Sequence, residues 1–394
     1  MEARKIREGI YWVGAVDWDR RMFDDLIPLP DGTSYNAYLI QGSEKTVLID
    51  TVDPEMSHVL HGRLSQLGTK HIDYIIINHA EQDHSGTLPQ IMERYPETQV
   101  VCTPKCREML VGLQLALQDR FLPVEDGATL SLGDRTLEFI HAPWVHWPET
   151  MLSYLREDEI LFAGDLFGSH LATTDLYVTD EGRVYEAAKR YYAEIMMPFR
   201  KIIQEHLTKV QGYKISLIAP SHGPMYDRPE FILDSYQHWV LSSPKNIVVL
   251  PYISMHGTTR EMVSYLVEAL TEKGVTVELF NLAVADIGKL AMALVDAATI
   301  VIASPTVLGG AHPKVVYATY LANALRPRVK FASIIGSYGW GGRMVQQLAD
   351  LIPNLEVEIL DPVVVKGYPG DEDLEALDEL AAMIAGKHKE HNLI

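Results

Sequence analysis

The hydrophobic rhythm of the chain changes once, and that change limits the possible folds more than any other feature. After Ser242-Ser243-Pro244-Lys245, the runs Ile247 to Leu250, Val275 to Phe280, Thr299 to Ala303 and Phe331 to Ile335 are short and apolar, with helical stretches such as Glu261 to Thr271 between them. Strands buried on both faces and alternating with helices give this pattern, so the second part reads as α/β with a parallel sheet. Before the change, strand-like runs at Ile10 to Val13, Tyr35 to Ile40, Thr46 to Ile49, Tyr74 to Asn78, Thr98 to Cys102 and Leu137 to His141 are mixed with helical patterns at Met109 to Leu117 and Tyr185 to Leu207. That mixture is α+β. A chain of 394 residues exceeds what one hydrophobic core supports. The polar join, which follows a helix expected to end near Leu241, is therefore read as a boundary between domains 1–243 and 244–394.

Composition excludes several classes of function. Hydrophobic residues at 47% and charged residues at 22% describe a packed chain. A net charge of −19 argues against a nucleic-acid partner, because phosphate binding draws on clustered Lys and Arg. No continuous apolar run precedes Asp17, so no signal peptide is expected. The longest uncharged stretch, between Asp296 and Lys314, is broken by Pro305, Gly309, Gly310 and Pro313, which disfavours a membrane span. Two cysteines, Cys102 and Cys106, are too few for a disulfide framework or an iron–sulfur cluster and fit a reducing compartment. The expected location is the cytoplasm, with no membrane association. The tail Lys387-His388-Lys389-Glu390-His391 reads as a solvated helix end rather than a metal site.

Residues that carry chemistry collect just after the strand-like runs. Tyr74 to Asn78 leads into His79-Ala80-Glu81-Gln82-Asp83-His84-Ser85-Gly86, where four side chains able to bind metal fall within six positions. Loops at strand ends are where such groups converge. His146 in Trp144-Val145-His146-Trp147-Pro148-Glu149, Asp165 in Phe162-Ala163-Gly164-Asp165 and His222 in Ala219-Pro220-Ser221-His222-Gly223 bring the set to seven. Alone, each would be an ordinary polar loop residue. Together they divide into two metal sites if one carboxylate bridges, with four protein donors at each metal and positions left for substrate. Asp165 is the candidate bridge. Glu81, Asp83 and Asp165 beside four histidines make a donor set richer in hard oxygen than zinc usually takes, which shifts the expectation toward iron or manganese.

In the second part, Ser254-Met255-His256-Gly257-Thr258-Thr259-Arg260-Glu261 follows the first strand and opens a helix. Hydroxyls, a glycine and the helix start can cradle a phosphate. Thr258 and Glu261 also fit a capping box, so this loop alone is equally well a helix cap. Two later loops, Ser304-Pro305-Thr306-Val307-Leu308-Gly309-Gly310 and Gly336-Ser337-Tyr338-Gly339-Trp340-Gly341-Gly342, fall beyond strand ends, where a doubly wound sheet binds ligands. Their glycines and aromatics can flank a flat ring.

The stretch His79-x-Glu81-x-Asp83-His84 resembles the metallo-β-lactamase-fold signature H-x-H-x-D-H with its second His replaced by Glu, the pattern of the flavodiiron proteins. His146-Trp147-Pro148-Glu149, Gly164-Asp165-Leu166-Phe167-Gly168-Ser169-His170 and Ser221-His222-Gly223-Pro224 resemble the same family. The three later loops resemble flavodoxin, and the Ser337-Tyr338-Gly339-Trp340-Gly341-Gly342 stretch resembles the flavodoxin domain of flavodiiron proteins. The resemblance runs from Gly9-Ile10-Tyr11-Trp12-Val13-Gly14 to the helix near Ala381. It implies a metallo-β-lactamase-like αββα sandwich followed by a flavodoxin-like doubly wound parallel sheet. It also implies that His79, Glu81 and His146 bind one iron, that Asp83, His84 and His222 bind the other, and that Asp165 bridges them. His170 and Tyr191 or Tyr192 are implied as groups that donate protons or hydrogen bonds to bound oxygen, Tyr192 being the one carried forward. FMN is implied, bound by the loop Ser254, Met255, His256, Gly257, Thr258 and Thr259, with its phosphate at Ser254, Gly257, Thr258 and Thr259 and its ring between the other two loops. One departure is His256, where flavodoxins usually place Thr and many flavodiiron proteins an aromatic.

The function so implied is a cytoplasmic oxidoreductase that passes electrons from FMN to a non-haem diiron site and reduces dioxygen to water, nitric oxide to nitrous oxide, or both. A zinc hydrolase with a flavodoxin-like appendage is the competing reading, and a flavin-only electron carrier or redox sensor is another. No C-x-x-C pair of the rubredoxin kind occurs. The expected electron donor is therefore separate: rubredoxin, a reduced deazaflavin coenzyme or a nicotinamide-linked reductase. The expected assembly is a head-to-tail homodimer or homotetramer.

Overall fold

The computed structural model describes residues 2–116 and 118–394. Its contacts divide the chain into two compact units, Met1–Tyr192 with Phe199–Val240, and Ala193–Pro198 with Leu241–Ile394.

In the first unit, alternation along the strands produces the layering. Val47 and Ile49 of Thr46–Ile49 enter one core with Phe139, Leu155, Phe162 and Leu217, while Leu48 between them joins Leu60, Leu64, Leu88 and Ile91 on the opposite face. The first core lies between two sheets. One has seven strands in the order Arg4–Arg7, Ile10–Trp12, Tyr38–Gln41, Thr46–Ile49, Tyr74–Ile76, Gln99–Cys102 and Phe121–Pro123. The other has five, from Thr129–Ser131 through Thr136–His141, Met151–Leu155 and Ile160–Gly164 to Leu217–Pro220. Helices complete the αββα sandwich. Asp165 and the loop carrying His222 follow two neighbouring parallel strands, and the His79 to His84 segment follows Tyr74–Ile76.

Three local expectations are corrected. The run Tyr35 to Ile40 is two strands, Thr33–Tyr35 and Tyr38–Gln41, in different sheets. The break is at Asn36, whose N–H goes to Ser221 O instead of a ladder partner. The helix expected over Met109 to Leu117 is Pro104–Gly112, begun by Thr103, whose hydroxyl accepts from Cys106 N–H, and by Pro104 at its first position; Leu117 lies outside the described residues. The pattern Tyr185 to Leu207 is not one helix. Glu181–Tyr191 widens into a π turn, Tyr192–Met196, and a 3-10 turn, Met197–Phe199, before Arg200–Val210. Pro198 has no N–H to continue the ladder.

The second unit is a parallel sheet in the order Thr276–Asn281, Lys245–Tyr252, Ala297–Val307, Phe331–Tyr338, with Glu358–Ile359 and Val363–Lys366 both pairing with the last of these. Phe331 and Ile335 face a core shared with Thr258–Glu272 and Asp371–Glu390. Ala332 and Ile334 face another, shared with Ile287–Asp296, Pro313–Leu325 and Met344–Asp350. The sheet is doubly wound, and its strand order reverses between Lys245–Tyr252 and Ala297–Val307. The solvated tail is corrected at His388, which is fully buried: its Nδ1–H donates to Asn246 Oδ1 at 2.7 Å, and its Nε2 accepts from Thr299 Oγ1 at 2.8 Å.

Candidate functional site

The seven side chains expected as ligands come together as two groups. His79, Glu81, His146 and Asp165 form one, and Asp83, His84 and His222 the other. In the first, His79 Nε2 lies 3.0 Å from Glu81 Oε2 and 3.1 Å from His146 Nε2, and His146 Nε2 lies 2.9 Å from Asp165 Oδ2. In the second, His84 Nε2 is 3.2 Å from Asp83 Oδ1 and 3.1 Å from Asp165 Oδ1, and His222 Nε2 is 3.2 Å from Asp83 Oδ2. Asp165 thus turns one carboxylate oxygen toward each group. For metal bonds of about 2.1 Å, neighbouring donors stand roughly 3.0–3.4 Å apart, the spacing seen. Backbone strain is stored here as well: His146 sits at φ 34°, whereas the φ of 52° just before Asp165 falls on Gly164, which adopts it without that cost.

Electrostatics point to a cation. Asp83 Oδ1 and Oδ2 and both nitrogens of His84 are buried without a hydrogen-bond partner. His79 Nε2 and His146 Nε2 are too close for two bare lone pairs. Burial alone would push the His222 imidazole down, yet the neighbouring carboxylates of Asp165 and Asp83 carry it up to about 10. His79, His84 and His146 are raised against burial in the same way, by Glu149, Glu81, Asp83 and Asp165. Glu81 and Asp165 are lowered despite burial, by those same histidines. Without metal, protons hold the cluster together; a metal ion would displace them. The donor set fits two metal ions.

Supporting groups fix the tautomers of two of the candidate ligands, His79 and His222. His79 Nδ1–H donates to Glu149 Oε1 at 2.7 Å, and Ala80 N–H donates to the same oxygen at 2.9 Å. His222 Nδ1–H donates to Ser34 O at 2.6 Å. Each bond leaves Nε2 as a free lone pair for a metal. Ser221 Oγ donates to Asp165 Oδ1 at 2.5 Å. Sequence reasoning gave Glu149, Ser221 and Ser34 no role. The first two stand in the ligand loops and could have been suspected; Ser34 is remote in sequence, and only the fold brings it near.

His170 and Tyr191 lie beside the second group. The His170 ring centroid is 4.7 Å from that of His222 and 4.8 Å from that of Tyr191. Gly168 permits this approach, since a Cβ there would meet the Tyr191 ring at 3.1 Å. His170 Nδ1 bonds Thr33 Oγ1 at 2.9 Å, and its Nε2 is buried without a partner. Burial, followed by the charge of His222, holds this imidazole well below its usual range, and burial keeps Tyr191 protonated. The expectation for Tyr192 is corrected. It packs on Tyr236 and Trp239, and its hydroxyl donates to Trp239 O at 3.3 Å, because the next residue along a helix faces another side.

In the second unit the residue at the N-cap of helix Thr258–Glu272 offers no capping side chain. That residue is Gly257 at φ 95°, so the capping box of Thr258 and Glu261 does not form. Arg260 N–H bonds Ser254 Oγ at 3.2 Å, and Thr259 Oγ1 lies 3.4 Å from Ser337 Oγ, which ties the first loop to the third. An open helix start ringed by Ser254, Thr258 and Thr259 suits a phosphate. Met255 and His256 are exposed on this loop. Nearby, a cleft of about 530 Å³ is lined by Thr306, Tyr338, Gly341 and Gly342, room for a flat ring system. Val307 pairs with Gly310 around a turn at Leu308 and Gly309, both at positive φ. Pro305 is buried in its strand, and Gly339 and Trp340 are exposed on the third loop. The residues present fit a flavin phosphate and ring.

Comparison with known proteins covers both units. The model for the ODP family beta lactamase matches residues 33–223. A nitric oxide reductase of Moorella thermoacetica is 35% identical over 391 residues, covering 97% of this chain and 98% of the relative. The rubredoxin oxygen:oxidoreductase of Desulfovibrio gigas superposes with TM-score 0.93 at 30% identity, over 98% of this chain and 99% of that one. The flavodiiron protein of Giardia intestinalis does so with TM-score 0.88 at 29% identity, over 98% of each. With the two donor groups and the doubly wound sheet, these matches show that the chain is an oxidoreductase of the flavodiiron protein family.

Proposed function

We propose that this protein reduces dioxygen to water, nitric oxide to nitrous oxide, or both, with one FMN and two irons per chain. The observation that carries the reading is Asp165, whose two oxygens face separate donor groups, as a carboxylate bridging two metals must. When bound, two ferrous ions and reduced FMN supply four electrons, the number that converts one dioxygen to two waters. His79, Glu81 and His146 hold one metal, and Asp83, His84 and His222 the other. Three carboxylates among seven ligands favour iron over zinc and count against a hydrolase. Tyr191 keeps its proton available, and His170 Nε2 offers an unpaired acceptor, so the two can hold hydrogen bonds beside the His222 ligand. In the other unit, Gly257, Thr258 and Thr259 hold the FMN phosphate while Thr306, Tyr338 and Gly342 flank its ring.

The electron donor in this reading is a separate rubredoxin or a reduced deazaflavin coenzyme. The assembly is a head-to-tail dimer or a dimer of dimers, with the flavin loops of one chain against the metal centre of the other; fully exposed Leu308 and Trp340 on those loops support it. Coexpression of Asp165→Ala and Gly257→Asp tests the assembly. A mixed dimer keeps one intact flavin facing one intact metal pair and should regain up to about half of the wild-type rate. A mixed dimer as inactive as its parents contradicts it. The reaction itself is tested by reducing purified protein anaerobically and mixing it rapidly with dioxygen and, separately, with nitric oxide. Reoxidation by neither gas refutes the proposal.

A further inference from the structure

Strand pairing stops at Asn36, and the groups freed there hold the His222 loop. Asn36 N–H donates to Ser221 O at 2.7 Å. Its side chain, 2% exposed, donates through Nδ2 to Pro220 O at 2.9 Å and to Gly223 O at 2.8 Å, the two carbonyls that bracket Ser221 and His222. Trp12 sets the direction of the amide: its indole N–H can only donate, and it gives its hydrogen to Asn36 Oδ1 at 2.9 Å. The other face of the loop is held by Ser34, whose O accepts His222 Nδ1–H and whose Oγ accepts Gly223 N–H at 2.8 Å. A loop held this way delivers His222 Nε2 to one metal group and Ser221 Oγ to the bridging Asp165. None of these bonds reaches His79, Glu81 or His146.

We infer that Asn36, oriented by Trp12, is a positioning residue for the metal held by Asp83, His84 and His222, and that it governs the affinity of that metal separately from its neighbour. This rests on the two-metal reading above. Removing Nδ2 takes from Gly223 O its donor and leaves Pro220 O held by the Tyr38 hydroxyl alone, at 2.7 Å, which frees the Gly223 side of the loop and lets His222 move off its line of approach. Partners one step behind a ligand typically change metal affinity by about 10–100-fold.

The test is titration of the metal-free, flavin-loaded protein with Co(II) against a chromophoric chelator. Wild type should take up two equivalents. Asn36→Leu, close in volume but without the amide, should keep one equivalent at wild-type affinity and bind the other about 10–100-fold more weakly, with flavin content and circular dichroism unchanged. Trp12→Phe keeps a ring and loses the indole N–H, so it should weaken the same equivalent to a smaller degree. If wild type binds only one equivalent, the two-metal reading fails. If wild type binds two and both variants match it, the positioning role is overturned, and equal weakening of both equivalents overturns it as well. Should Asn36→Leu not fold, an unchanged second equivalent in Trp12→Phe is refutation enough.

Discussion

Glu149 is the residue on which the electrostatic account of the first metal group depends most simply. It is 1% exposed, and one of its oxygens accepts both His79 Nδ1–H at 2.7 Å and Ala80 N–H at 2.9 Å. Glu149→Gln keeps the shape and the accepting oxygen and removes the charge. A hydrogen bond to a charged group contributes about 1.5–3 kcal/mol, and a neutral one about 0.5–1.5 kcal/mol. The loss is therefore roughly 1–2 kcal/mol, or about 5–30-fold in the affinity of the metal bound by His79. Glu149 Oε2 is buried without a partner, so the new amide nitrogen would stand there with nothing to receive its hydrogens, which moves the expected effect to the upper end. Competition with a chelator of known affinity reads the two metals separately. The metal of His79, Glu81 and His146 should weaken while that of Asp83, His84 and His222 stays within a factor of about three, the ordinary context scatter of such effects. Unchanged affinity, or selective loss of the second metal, would refute the reasoning.

Other substitutions follow from the same geometry. Asp165→Ala should strip both metals, because it deletes the oxygen that faces His146 and the one that faces His84; elemental analysis showing one metal retained at full occupancy contradicts the bridge. Gly257→Asp and Thr259→Glu should abolish FMN binding without changing metal content, since each places negative charge at a helix start that should receive a phosphate; a variant purified with full flavin would show that loop to be misread. For His388, burial, followed by the like charge of His391, lowers the imidazole to about 4, below the unfolded value of about 6.5. Its contribution is therefore complete above about 6.5 and is lost as pH falls toward 4; because the helix end around it stays hydrated, roughly 1–2 kcal/mol is expected. Urea midpoints at pH 7 and pH 5 should fall less in His388→Gln than in wild type, and equal falls would contradict the assignment.

Much of this could be read from residue order, for identifiable reasons. The candidate donor loops stand directly after apolar strands, so the clustering of His79 to His84 and the single donors at Asp165 and His222 are visible as local patterns. The compact apolar runs of the second unit correspond to its parallel strands. What was not visible depended on register or on distant contacts. The period along the chain does not say which of two adjacent tyrosines faces the site, and a π turn beginning at Tyr192 shifts the phase there. A positive φ at Gly257 removes the cap that Thr258 and Glu261 suggest. A charged-looking tail hides a buried His388 because its partners, Asn246 and Thr299, are far away in sequence. Asn36 looks like one more residue in a continuous strand, although its bonds go to a loop more than 180 residues later.

The central claim is that Asp165 joins two irons within one cluster, and Mössbauer spectroscopy of oxidised protein loaded with iron-57 tests it most directly. The account predicts two ferric ions per chain in similar but distinct nitrogen and oxygen environments, coupled so that the low-temperature spectrum shows no magnetic splitting and the protein gives no signal from isolated ferric iron. One iron per chain, or two that split independently as uncoupled ions, would contradict it.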